Sequence, residues 1–161
     1  MSEGGGGQSR LALLSLVDGR AIPITETASA SSGSVSPDGK WLLYGLVVSG
    51  RTEVFVQSLP KEVGGSAAAG KWQISVSGGS QPKWRADGKE IFYLSPEGTL
   101  MAAPVESGGD FFRAGTPRGI LQTKEASSFD VTADGQRFLV NQPVSDSSDA
   151  PSRSSSIGPN C

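Results

Sequence analysis

Three carboxylates recur in one phrase of this chain. Asp38 lies in Ser36-Pro37-Asp38-Gly39-Lys40, Asp87 in Arg85-Ala86-Asp87-Gly88-Lys89, and Asp134 in Thr132-Ala133-Asp134-Gly135-Gln136. Acidic groups repeated at a near-constant interval could ring a cation. Their shared Asp-Gly context points to a different task. In a turn, Asp accepts hydrogen bonds from nearby backbone N–H groups, and the next residue, Gly, takes the positive φ. The turn reading is therefore preferred for all three. Trp41, Trp72 and Trp84 could form an aromatic recognition surface. Each sits in or beside a strand-like run, where packing between sheets is the commoner role. Lys83 and Arg85 flank Trp84 and are candidates for an exposed surface.

Other chemistries find less support. Gly65 to Lys71 reads Gly-x-x-x-x-Gly-Lys, but Trp72 stands where a phosphate-binding loop needs Ser or Thr to hold magnesium. The segment after Lys71 reads as a strand rather than a helix whose N-terminus could meet phosphate. Gly4 to Gly7 has no strand before it and reads as a linker. Ser80 is the nearest candidate for a nucleophile elbow, and Pro82 occupies the place of the second Gly. With no histidine in the chain, the commonest general base and metal ligand are missing and a Ser-His-Asp triad is excluded. No protein-kinase catalytic motif is present. The lone Cys161 allows no intrachain disulfide and no Cys/His metal spacing. The expectation is a chain with no catalytic, cofactor-binding or metal residues of its own, and not an enzyme by itself.

Bulk properties narrow the partners. The net charge of −2 is scattered, with no basic stripe for nucleic acid. The longest apolar runs, Leu11 to Val17 and Trp41 to Val48, are too short to cross a membrane as helices. The start, Met1-Ser2-Glu3 and then four glycines, lacks the basic and apolar regions of a signal peptide. No nucleic acid and no membrane insertion are expected, and the protein or small ligand that the chain binds stays unidentified.

The elements that must position these residues are set by the repeat. The Asp-Gly pairs lie 49 and 47 residues apart (38 to 87, 87 to 134), a period that marks a propeller or solenoid. Leu11 to Val17 and Arg20 to Thr25 read as two strands around an Asp18-Gly19 turn, with 26–32 a loop. The first full repeat predicts strands at Gly33 to Ser36, Trp41 to Val48, Glu53 to Leu59 and Trp72 to Val76. The second predicts Gln81 to Arg85, Ile91 to Leu94, Leu100 to Val105 and Gly119 to Gln122, with a loop over 106–118. The third gives only Phe129 to Val131 and Gln136 to Asn141. The apolar runs are nearly continuous rather than alternating, as expected of sheets covered on both faces. The fold class is all-β: a partial β-propeller of antiparallel four-stranded blades, about two full blades plus two half blades. Residues 1–9 read as a flexible Gly-rich segment, 10–142 as the propeller part and 143–161 as a disordered tail.

The threefold Pro/Ala-Asp-Gly-Lys/Gln turn, each time leading into an aromatic and aliphatic strand, resembles the TolB-like, WD-repeat-related propeller repeats of bacteria. Gly70-Lys71-Trp72-Gln73-Ile74-Ser75, Gly78 to Trp84, and Phe129-Asp130-Val131 leading into Phe138 to Asn141 further resemble the C-terminal propeller of some bacterial serine/threonine protein kinases. The resemblance covers roughly residues 10–142. It implies a non-catalytic interaction or sensor module belonging to a larger bacterial protein, and it favours the cell envelope or periplasm. The alternatives are the propeller part of a prolyl-oligopeptidase-like hydrolase, or a truncated frame without function. Too few blades are present to close a ring, so self-association through open blade edges is a further expectation.

Overall fold

The structure is a computed structural model that describes residues 10–24, 29–60, 70–123 and 125–144. The expectations for the Gly-rich segment, for the loop around Gly65 and for Cys161 and nearly all of the tail lie outside the described residues. Those described form antiparallel strands and no helix. A hairpin of β1 (Ala12–Leu14) and β2 (Ala21–Pro23) comes first. Next is a four-stranded sheet, with β3 (Ala30–Val35), β4 (Trp41–Val48), β5 (Arg51–Ser58) and β6 (Lys71–Gln73) adjacent in chain order.

The second sheet begins with β7 (Ser80–Trp84), β8 (Glu90–Leu94) and the long β9 (Thr99–Gly108). Its outer edge is shared by β10 (Phe111–Ala114) and β11 (Arg118–Gln122), both antiparallel to β9. Phe111 faces Gly108 and Gln122 faces Thr99, so β10 and β11 run along β9 as one interrupted strand. This second blade is thus four strands wide, like the first. A last pair, β12 (Ser128–Val131) and β13 (Phe138–Asn141), completes the described residues. The first strands of successive units, β3, β7 and β12, lie beside one another, β7 in the middle.

The continuous apolar runs are explained by packing on both faces. In β4, Leu42, Tyr44 and Leu46 join Phe55 and Ala30 on the side covered by the β1–β2 hairpin, through Leu11, Leu13 and Ile24. Trp41 and Leu43, with Val54 and Val56, face the other way and meet Ile91, Tyr93, Ala103 and Val105 of the second blade. The pattern repeats one unit on: Phe92, Leu94, Leu100 and Ala102 meet Phe129, Phe138 and Val140. Three cores thus lie between successive units, and the hydrophobic effect that stabilises the fold acts mainly between blades.

Four expectations need correction. The first strand ends at Leu14 rather than Val17. Ser15 N–H bonds to Arg20 O and Gly19 N–H to Ser15 O, so 16–19 form the loop, and Leu16 and Val17 are almost fully exposed. β3 starts at Ala30, inside the expected loop 26–32; a register break between Ser31 and Ser34, with Ser32 at φ +55°, disguises it. β6 stops at Gln73 instead of Val76, which is exposed, because the chain beyond is drawn toward Glu53. The expected loop over 106–118 is largely a hairpin: Gly108-Gly109-Asp110 turns β9 into β10, with Gly109 at φ +59°.

Candidate functional site

The three Asp-Gly phrases fold alike. Gly39, Gly88 and Gly135 have φ of +74°, +72° and +69°. Their N–H groups bond back to Ser36 O, Arg85 O and Thr132 O at 2.8–2.9 Å. Asp38, Asp87 and Asp134 each accept, at Oδ1, the N–H of the residue after the Gly, at 3.2, 2.9 and 3.0 Å. Position 36/85/132 adds a second tie. The Ser36 and Thr132 hydroxyls donate to Asp38 and Asp134, whereas Arg85 forms an ion pair with Asp87 at 3.2 Å. The Thr132 hydroxyl, and after it the Gln136 N–H, holds the Asp134 carboxyl below the usual range. These carboxyl groups are occupied with shaping turns, and among the described residues no group of His, Cys, Asp and Glu could hold a metal ion.

The other sequence candidates are tied into packing. Trp41 and Trp72 meet edge to face with centroids 5.5 Å apart, and both rings, together with Trp84, surround Phe112. Lys83 reaches across to Asp130 of β12 at 3.8 Å, a tie between units. Arg85 also pairs with Glu90, which in turn holds Arg118 of β11. Lys71, at the end of the loop that resembled a phosphate site, places its Nζ 4.5 Å from the centre of the Phe55 ring. Ser80 opens β7 and is exposed.

Sequence reasoning missed two features. The first is Glu53. Its largely buried carboxyl accepts the Ser75 hydroxyl and, at 3.0 Å, the Gly78 N–H, while Ser75 Oγ accepts the Val54 N–H at 2.9 Å. This network clips the link between the blades onto β5. Burial, and after it the charge of Glu53, pushes the Tyr93 phenol up to about 12. An acidic residue beginning an otherwise apolar run at 53–56 was the available signal.

The second feature is a groove of about 610 Å³ where the two full blades meet at their Asp-Gly turns. Ser36, Pro37 and Asp38 form one side and Asp87, Gly88 and Lys89 the other. The β9–β10 hairpin closes it with Val105, Glu106, Ser107 and Phe111. Trp84 lies at its base, buried, while Phe111 is half-exposed. Thus Asp38 and Asp87 are brought to one groove, and Asp134 sits at the next junction, where Gly135 packs near Arg85. Two of the rim carboxylates are paired, Asp87 with Arg85 and Glu106 with Arg113, and Asp38 accepts the Ser36 hydroxyl.

No family model and no curated protein matches the chain. Among solved structures, it is similar to the crystal structure of TolB from Acinetobacter baumannii, with a TM-score of 0.61 and 20% identity, over 87% of this chain and 33% of that one. The chain thus spans about a third of the length of that protein. The likeness is one of fold: the chain has a TolB-like β-propeller fold, all-β and antiparallel.

Proposed function

We propose that the chain is a non-catalytic interaction module that receives a segment of a partner protein in the groove between its two full blades. The observation that carries this reading is the groove's composition. On its rim Asp87 and Glu106 already hold Arg85 and Arg113, so these two carboxylates contribute little net attraction. Half-exposed Phe111, backed by the buried Trp84 and Val105, offers an apolar wall, and binding energy in protein contacts concentrates on such aromatic anchors. A partner segment with one apolar side chain to insert fits that surface. The blades supply rigidity, and the turns and hairpin supply the contact.

The repeat phrases support a WD-repeat-related bacterial origin. The Gly70 to Ser75 and Gly78 to Trp84 segments support a parent that is a serine/threonine kinase carrying a propeller, whose catalytic domain is a separate part. The fold likeness to TolB is in keeping with a place in the cell envelope or periplasm. Each of these rests on resemblance alone.

Selection from a phage-displayed peptide library tests the groove. Enriched peptides should share an apolar anchor, and Phe111→Asp should weaken their binding about tenfold or more. Phe111 is half-exposed, so the substitution leaves the core in place. Peptides that bind the variant as well as the native chain would place the contact elsewhere.

A further inference from the structure

On the premise, taken from the proposed function, that the groove between the two full blades receives a peptide segment, we propose that this segment is dipolar. Beside its apolar anchor it carries one basic side chain, which meets Asp38, and one acidic side chain, which meets Lys89. The groove is lined by Asp38 on the first blade and by Asp87, Lys89 and Glu106 on the second. Asp87 and Glu106 have counter-charges within the chain, Arg85 and Arg113. Asp38 is tied only to neutral donors, the Ser36 hydroxyl and the Lys40 N–H. Among the described residues, neither Asp38 nor Lys89 makes an ion pair, and both are exposed.

The repeat explains why Asp38 is left without a counter-charge. In the second turn Arg85 holds the place of Ser36, and it pairs with both Asp87 and Glu90 at 3.2 Å. Its side chain also lies against the third turn, where a Cβ on Gly135 would come 3.0 Å from Arg85 Cδ. That junction therefore holds an arginine between its turns, and the carboxylate beside it is compensated from within the chain. Ser36 is short and reaches Asp38 only with a hydroxyl. The first junction thus keeps an open volume of about 610 Å³ together with an uncompensated carboxylate. A basic side chain from a partner supplies there what Arg85 supplies one repeat on.

Lys89 gives the groove its second pole. The walls meet where a Cβ on Gly88 would come 3.7 Å from Pro37 Cδ, and Asp38 and Lys89 are the next residues along their respective turns. Opposite charges thus stand on opposite walls, with half-exposed Phe111 as the apolar contact. Ion pairs exposed to water add little affinity. Their effect is on selection, because a like charge at either pole is penalised. A segment with two basic residues brings one of them toward Lys89, and a segment with two acidic residues brings one toward Asp38.

Phage-displayed heptapeptides with a fixed central leucine and random flanks test the two poles. Selection on the native chain should enrich sequences that hold both a Lys or Arg and an Asp or Glu. On Asp38→Asn the preference for Lys or Arg should vanish while that for Asp or Glu persists, and on Lys89→Gln the reverse. A synthetic copy of an enriched heptapeptide with Gln in place of its basic residue should bind the native chain about two- to fivefold more weakly, and Asp38→Asn no differently from its parent. Asn keeps an oxygen for the Ser36 hydroxyl and the Lys40 N–H, and both substituted residues are exposed, so the urea midpoints of the variants should match the native one. Enriched heptapeptides that depend on Phe111 but show no charge preference would overturn the dipolar segment and leave the docking site standing. A charge preference unaltered by both substitutions would overturn it equally. Binding insensitive to Phe111→Asp would overturn the docking site itself, and its polarity with it.

Discussion

The two tyrosines of the chain, Tyr44 and Tyr93, occupy the same position in successive repeats, and both are almost fully buried between units. Burial pushes each phenol up to about 12, with the charge of Glu53 adding to the effect at Tyr93. Above the unfolded value near 10, the unfolded chain sheds these protons while the folded chain retains them. Stability is therefore unaffected below pH 10 and falls as the pH rises from about 10 to about 12. Two pKa units at about 1.4 kcal/mol each give up to about 3 kcal/mol per tyrosine, and up to about 6 kcal/mol for the pair. That is comparable to the whole stability of a small domain. Phenolate absorbance near 295 nm, measured alongside circular dichroism, should thus show both tyrosines ionising together with loss of the sheets, in one steep step. Tyr93→Phe should roughly halve the alkaline loss and leave stability at neutral pH nearly unchanged. Because Tyr44 is covered by the β1–β2 hairpin and Tyr93 by the first full blade, the experiment reads two inter-unit cores at once. Smooth ionisation near pH 10 in a chain that keeps its sheet signal would refute the packing of both.

Two glycine substitutions separate space from backbone strain. Gly79→Ala places a Cβ 2.7 Å from the Tyr93 ring and 2.9 Å from a Val54 methyl, both buried, and should cost about 1–3 kcal/mol by overpacking, read as a lowered urea midpoint. Gly88→Val meets nothing nearer than Pro37 Cδ at 3.7 Å, so its cost of about 1 kcal/mol or more arises from forcing φ +72° on a β-branched residue. An unchanged midpoint in either variant contradicts the corresponding geometry.

The repeat made most of the fold legible. A proline or alanine, an Asp-Gly pair and an apolar run define a turn and a second strand, and the period assigns these to successive blades. The nearly continuous apolar runs foretold coverage on both faces, since alternate residues of β4 and β8 face different neighbours. Where prediction slipped, tertiary contacts had overridden local pattern. Leu16 and Val17 look like strand residues, yet the loop geometry set by Ser15, Asp18 and Arg20 uses them as turn residues. β10 was hidden because its only large apolar residues, Phe111 and Phe112, stand next to a Gly-Gly-Asp turn and before a polar stretch. Phe112 becomes a strand residue by inserting among Trp41, Trp72 and Trp84. The groove was illegible because it joins Ser36 to Phe111 across two blades, and no local pattern encodes that proximity.

In a repeat protein, residues common to all copies maintain geometry, so individual function must lie in the departures. The Asp-Gly turns are common and hold the corners. At the position of Trp41, the second repeat has Glu90, which gathers Arg85 and Arg118 at one edge of its blade. At the position of Ser36 and Thr132 it has Arg85, which replaces a hydroxyl tie with an ion pair. The prolonged β9–β10 hairpin belongs to the second blade, and it brings Glu106, Ser107 and Phe111 to the groove. The hairpin lies at the junction of the two full blades, where the shared turns open a groove, whereas Arg85 lies against Gly135 at the next junction. The common residues thus create the cleft, and the hairpin peculiar to the second blade sets the composition of its wall.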